Sequence, residues 1–191
     1  MKLYILDMIR FEQTEYCTET SKHKKHHAAG QFLLRCVLGE EAYERVEFAK
    51  GEHGKPYIIG HPIHYNISHS EQYAVLVTAD SEIGVDVQER KSVCMDAMAK
   101  RFFSKIEWQT FSELESDEEK KELFFYIWCR KEAYGKYLGT GLNTEVLNTN
   151  VLMDVEDVQF IEYEAAEGYQ ISICCGKEES IEKVISVFEG L

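Results

Sequence analysis

Near residues 90–95 the hydrophobic period of this chain changes, and that change decides which elements each half can build. Before it, Lys2 to Ile9, Gln72 to Thr78 and Ile83 to Gln88 have the short apolar alternation of strands. The last two are expected to form a hairpin across Ala79-Asp80-Ser81-Glu82. Arg45 to Ile59 reads as a strand with a turn at Gly54-Lys55-Pro56, and Tyr65 to Ile67 as a short extended piece. One helix is expected in this half, Ser21 to Leu38, with Phe32, Leu33, Val37 and Leu38 on its apolar face and Gly39 as its stop.

After the change the pattern is helical. Ser92 to Phe103 forms one helix, and Ser104-Lys105-Ile106-Glu107 has the spacing of a capping box that opens another. Ser116-Asp117-Glu118-Glu119 repeats the spacing and starts a long helix to Leu138, stopped by Gly139 and Gly141. The tail returns to strands at Val151 to Met153, Val158 to Tyr163 and Gln170 to Cys175, with a turn at Glu167-Gly168. Ser180 to Phe188 suits helix and strand equally. With no Pro/Gly/Ser-rich linker, the two parts, 1–91 and 92–191, are expected to form one body.

A length of 191 residues with 45% hydrophobic content suffices for one good core or two small ones. No apolar run approaches the roughly 20 residues that span a bilayer, and the opening Met1 to Asp7 turns acidic too early for a signal peptide. A cytoplasmic protein with no membrane partner is expected. Six cysteines without a C-x-x-C pair read as reduced thiols rather than a zinc site. A net charge of −13 argues against nucleic acid, although base gathers locally at Lys22 to Lys25.

Two segments carry chemistry. In Ile83-Gly84-Val85-Asp86-Val87-Gln88, residues two apart share a face, so Val85 and Val87 are core while Asp86 faces a side on which Gly84 leaves room for a ligand. An exposed edge strand would look the same. In Trp128-Cys129-Arg130-Lys131-Glu132-Ala133-Tyr134-Gly135-Lys136, the i,i+4 series Trp128, Glu132, Lys136 lines one face of a helix. A surface Glu–Lys pair is the plain alternative, but an acid beside Trp128 wants a partner, and a metal would serve. Magnesium takes one or two carboxylates plus phosphates and waters, which matches Asp86 and Glu132; manganese is possible. Glu107, three after Ser104, has a capping-box place of its own.

Together with Gly54-Lys55-Pro56-Tyr57 and Tyr65-Asn66-Ile67-Ser68-His69-Ser70, these segments stand in an order that resembles the broad-specificity, surfactin-synthetase-type 4′-phosphopantetheinyl transferases, over about Lys24 to Gly141. The resemblance implies an α+β fold with a pseudo-twofold pair of similar subdomains, each a small antiparallel sheet with a packed helix, and an active site between them. It implies a monomer that moves phosphopantetheine from coenzyme A to a serine of an apo acyl or peptidyl carrier protein. Asp86, Gln88 and Glu132 would hold the metal, Gln88 standing where the family commonly has a third acid. His69 would contact the pyrophosphate, with Ser68 and Lys55 beside it; Lys131 and Lys136 would neutralise the leaving group. The basic helix start Lys22 to His27, with Lys24 and Lys25, suits the 3′-phosphate and Arg35 the nucleotide end, a solvated face being the plain alternative. Glu132, Lys136 and Glu107 would be catalytic, Glu132 ranking first as base. As a transition-metal chelate, the spacing of His23, His26 and His27 reads as incidental. Phe102, Phe103, Trp108 and Phe111 are candidates for an apolar carrier surface. The same acids and lysines could also serve a magnesium-dependent nucleotide phosphohydrolase, or survive in an inactive carrier-binding module.

Overall fold

The computed structural model describes residues 1–188. Strand β1 (Lys2–Asp7) ends where the Asp7 carboxylate accepts from the amides of Ile9 and Arg10, capping the single turn α1 (Met8–Phe11). Helix α2 (Lys22–Leu38) follows and stops at Gly39, whose φ of +80° a side chain would resist. The short α3 (Glu40–Tyr43) leads to a small hairpin of β2 (Phe48–Lys50) and β3 (Pro56–Ile58), turned at residues 51–55. Then come β4 (His64–Ser70), β5 (Tyr73–Ala79) and β6 (Ile83–Glu89). The helices α4 (Met95–Phe102), α5 (Lys105–Ser112), α6 (Asp117–Leu138) and α7 (Thr144–Asn148) precede β7 (Val158–Ala166), β8 (Tyr169–Gly176) and β9 (Lys183–Ser186). Both expected N-caps hold: the Ser104 and Ser116 side chains accept from the amides three residues on, and Gly139 ends α6 in the left-handed region.

The fold is α+β, with small sheets and packed helices. One sheet has the order β4-β5-β1-β9, antiparallel except for the parallel pair β1–β9; another has the antiparallel order β6-β8-β7. The expected hairpin of Gln72–Thr78 with Ile83–Gln88 is therefore corrected. β5 pairs with β1 and β4, whereas β6 leaves that sheet and pairs with β8, so residues 80–82 carry the chain from one sheet to the other. The sheets are not divided at residue 91: β6 joins the later sheet, and β9 returns to the edge of β1. That resolves Ser180–Phe188, where the short strand was as plausible as a helix. Val151–Met153 is a turn, not a strand.

Val85 and Val87 are core, as expected, packed with Leu3, Ile5, Val75 and Val77 of the first sheet and Ile171 and Ile173 of the second. On the other face of the first sheet, Leu33 and Leu34 of α2 meet Leu6, Phe11 and Leu76. An aromatic group, Phe103, Phe111, Phe124 and Phe125, joins α4, α5 and α6. Where β4 passes β6, side chains take the place of a backbone ladder. The amides of Val85, Val87 and Glu89 donate to Asn66 Oδ1 (2.9 Å), Ser68 Oγ (3.3 Å) and Ser70 Oγ (3.0 Å).

Candidate active site

Gly84 brings the site together, though not by admitting a ligand. A Cβ there would lie 2.1 Å from the Ala133 carbonyl oxygen and 2.4 Å from the Tyr137 nitrogen. The room it leaves is filled by the backbone of α6, so β6 and α6 touch main chain to main chain. Two residues on, Asp86 faces the same helix, and the Cys129 thiol on α6 donates to its backbone carbonyl.

Asp86 is 3% exposed and its carboxylate is surrounded by donors. Lys136 Nζ lies 2.6 Å and Ser68 Oγ 2.8 Å from Oδ1, and Gln88 Nε2 donates to Oδ2 at 2.7 Å. Lys136 also donates to Ser68 Oγ and to the Val85 carbonyl, so its ammonium is held between β4, β6 and α6. One turn earlier on α6, Glu132 is partly buried and, among the described residues, makes no hydrogen bond or ion pair. Burial first, and the Asp86 charge second, hold its carboxyl above the usual carboxylate range; Lys136 works against both. The i,i+4 stripe stands: Trp128 stacks on Phe124 at a ring distance of 6.1 Å, with Glu132 and Lys136 following.

Ser68 and His69 leave β4 on opposite sides, as neighbours on a strand must. Ser68 enters the Asp86 cluster. His69 enters the wall of a cleft of about 550 Å³ bounded by α2, the β2–β3 hairpin and β4. His69 is exposed on its cleft side; loss of water against the wall, then the nearby His26 ring and the Lys136 ammonium, lower its pKa, with Asp86 opposing them.

Other expected site residues lie elsewhere. Glu107 and Lys131 are wholly buried and form an ion pair of 2.9 Å. Glu107 accepts from the Ser104 and Val151 amides, and Lys131 donates to the carbonyls of Val146, Leu147 and Thr149 at the end of α7. Burial lowers the Lys131 pKa, and Glu107 resists that. The capping box holds, and both groups bond to each other and to core carbonyls and amides. Lys55 donates to Glu82 and to the carbonyls of Ile83 and Tyr137, clamping the start of β6 to the end of α6. It borders a second cleft of about 700 Å³, on the other side of the hairpin from His69.

Lys24 pairs with Glu19, Lys25 with Glu12, and Arg35 with Glu40 and Glu44. None of the three lines the His69 cleft. The face of α2 that does so carries His23, His26, His27, Gly30 and Leu34, set at helical spacing. That spacing was visible in the sequence; the presence of a cleft along it was not. Lys50, on the hairpin, is a further lining residue that motif reading missed, and it makes no ion pair among the described residues. Of the aromatic candidates for a carrier surface, most of them expected to be core, Phe103 and Phe111 are buried, and Phe102 and Trp108 are partly buried against them. Ile106 (59%) and Met153 (67%) are the exposed apolar side chains of that region.

Comparison with known proteins decides the assignment. The family model for the 4′-phosphopantetheinyl transferase superfamily matches residues 82–185, more than half of the chain, from β6 through β9. The chain belongs to that superfamily. A 4′-phosphopantetheinyl transferase of Bacillus subtilis is 32% identical over 85% of this chain and 80% of its own length. The 4′-phosphopantetheinyl transferase Sfp of Bacillus subtilis strain 168 is 27% identical over 95% of this chain and 88% of its own. The 4′-phosphopantetheinyl transferase HetI of Nostoc sp. strain PCC 7120 is 35% identical over 63% and 54%. The protein is an enzyme of this kind, a phosphopantetheinyl transferase of the surfactin-synthetase type.

Proposed function

We propose that this transferase takes 4′-phosphopantetheine from coenzyme A and attaches it to a serine hydroxyl of an apo acyl or peptidyl carrier protein. The observation that carries the reading is one junction of β4, β6 and α6. There His69 opens on a cleft while its neighbour Ser68 bonds to Asp86 and Lys136. The cleft has room for a nucleotide, and Lys50, His23 and His27 along it suit an anionic ligand. The serine oxygen would attack the phosphorus that bears pantetheine. The diphosphate P–O bond breaks, adenosine 3′,5′-bisphosphate leaves with the electron pair, and the serine proton passes to a base. Glu132 suits that base because its carboxyl is held above the ordinary range by burial and by Asp86. Lys136 would offset charge on the departing phosphate.

Asp86, Glu132 and the Gln88 amide offer hard oxygens and no sulfur or imidazole, a donor set that fits magnesium or manganese. No group of three His, Cys, Asp or Glu side chains among the described residues could hold a metal, so an ion here would keep waters or phosphate oxygens in its shell. When bound, it would withdraw charge from the diphosphate.

For the carrier, the exposed apolar side chains Ile106 and Met153, in the part of the chain that carries Glu107 and Trp128, are the candidates for contact. The same reading makes the enzyme a cytoplasmic monomer without nucleic-acid or membrane partners. No helix among the described residues is long and apolar enough to cross a membrane, and gel filtration with cell fractionation checks the rest. The main test is mass spectrometry of apo carriers incubated with coenzyme A, magnesium and either wild-type protein or Asp86→Ala. Wild type should add one phosphopantetheine and the folded variant none. A fully active Asp86→Ala, or adenosine bisphosphate released without any carrier, would overturn the proposal.

A further inference from the structure

Within the histidine cluster at the start of α2, His26 is the member that no step above uses. His26 is 7% exposed, its ring stacked on that of His69 with centroids 4.3 Å apart and planes 26° from parallel. Its Nε2 lies 3.4 Å from the Glu71 carbonyl oxygen, in the turn between β4 and β5. That turn is itself held. Glu71 has φ of +43°, which a side chain tolerates only under constraint, and its carboxylate bridges Lys22 at the start of α2 to Lys91 just after β6. Those two lysine hydrogen bonds pull the Glu71 carboxyl down to about 2.

We infer that His26 is a positioning residue for His69: stacked on one face of the ring and tied to the anchored Glu71 turn, it fixes how His69 presents its edge to the cleft. The inference rests on the reading that this cleft takes the diphosphate of coenzyme A. A carbonyl oxygen can only accept, so in that contact the His26 Nε2 is the donor. Two stacked rings in contact cannot both be cationic at low cost. Of the charged groups near His69, Lys136 disfavours its cationic form and Asp86 favours it, while the His26 and His23 rings disfavour a second charge beside them. A neutral His69 offers the diphosphate one directed N–H, and that is useful only if the ring cannot rotate. On a strand facing an open cleft, only a neighbour packed flat against the ring prevents rotation.

Three variants separate the parts. His26→Ala removes stack and tether, His26→Phe keeps the stack and the buried volume, and His26→Gln keeps a donor without the ring. The first readout is the NMR titration of the His69 ring in the ligand-free protein, assigned by comparison with His69→Ala. The second is the dissociation constant for coenzyme A by calorimetry, with KM for carrier alongside. In His26→Ala the His69 titration should move upward, because the ring that opposes a charge beside it is gone. Coenzyme A binding should weaken about three- to tenfold, the worth of one aromatic pair, with KM for carrier unchanged. His26→Phe should recover most of that binding and His26→Gln little of it. Unchanged titration and unchanged coenzyme A affinity in folded His26→Ala or His26→Gln would overturn the inference. If wild type fails to bind coenzyme A, the cleft assignment falls instead, and the His69 titration still decides whether His26 positions it.

Discussion

At the scale of single residues, the Asp86 carboxylate is the group most dependent on its neighbours. A carboxylate 3% exposed needs donors around it, and three side chains supply them. Gln88 is one of the three, so replacing it with an acid has opposite effects with and without metal. Gln88→Glu removes a hydrogen bond worth about 1.5–3 kcal/mol when made to a charged group and sets like charges side by side. In chelator its melting temperature should fall by several degrees. With millimolar magnesium it should rise more than that of wild type, because a third carboxylate now meets the ion. Equal magnesium shifts in the two proteins would show that position 88 does not touch the metal. Glu132 gives a second test. Its folded pKa is raised, so its ionised form costs stability above that pKa, and the cost disappears as pH falls through it. Glu132→Gln should therefore be more stable than wild type at pH 7, with the advantage shrinking toward pH 4 in urea melts. A pH-independent difference would contradict the raised value.

At the scale of elements, the contact between β6 and α6 depends on a missing side chain. Gly84→Ala would drive a Cβ into the Ala133 carbonyl and the Tyr137 nitrogen, and backbone on both sides cannot yield as a flexible side chain would. It should cost at least about 3 kcal/mol, the upper range for overpacking, or prevent folding, as read by urea midpoint and soluble yield. The sequence marked Gly84 as special for a different reason, and the difference is instructive. Strand alternation told which residues share a face with Asp86, but not whether a ligand or a helix fills that face. The helices, caps and stops of α2, α5 and α6 were legible because Ser104, Ser116, Gly39 and Gly139 act on their own neighbours. The partner of β6 was not legible, because Ile171 and Ile173 on β8 lie more than eighty residues away and the pattern of β6 fits either sheet. The Glu107–Lys131 pair lay between these cases. The capping box was readable, but α7, whose final carbonyls receive Lys131, was not foreseen. Removing one member of a buried pair should cost about 3–5 kcal/mol. Glu107→Gln should then be strongly destabilised, and the double variant Glu107→Leu, Lys131→Met should recover much of the loss. If that double variant were stable and yet inactive in transfer to carrier, Glu107 would belong to the chemistry after all.

At the scale of the whole molecule, the two larger sheets meet along β4 and β6 without pairing, and the seam is closed by oxygens of Asn66, Ser68 and Ser70 that accept from alternate amides of β6. Ladder bonds would have made β4 and β6 neighbours in one continuous sheet. Side-chain rungs instead let β6 turn its other edge to β8 and its even-numbered face to α6, which brings Asp86 to the helix that carries Glu132 and Lys136. The middle rung, Ser68, also bonds to Asp86 and Lys136, so the register of the seam and the geometry of the acid cluster are set together. His69 lies one residue further on the same strand, and a shift in the seam would move the cleft wall relative to Asp86. Asn66 tests this at a distance from the reacting groups. It is 4% exposed and bonds to the Val85 amide at 2.9 Å. Asn66→Ala leaves that amide buried without an acceptor, a loss of about 1–3 kcal/mol. Hydrogen exchange should quicken at Val85 and, because the rungs act in series, at Val87 and Glu89 as well, while the β7–β8 amides keep their protection relative to global stability. The transfer rate should fall in Asn66→Ala even under conditions where the protein is fully folded, since Asp86 and His69 are then held less closely to one another. If exchange quickened only at Val85 and turnover by the folded protein were unchanged, the rungs would be independent bonds, and the alignment of cleft and acid cluster would have to come from the packing of Val85 and Val87 alone.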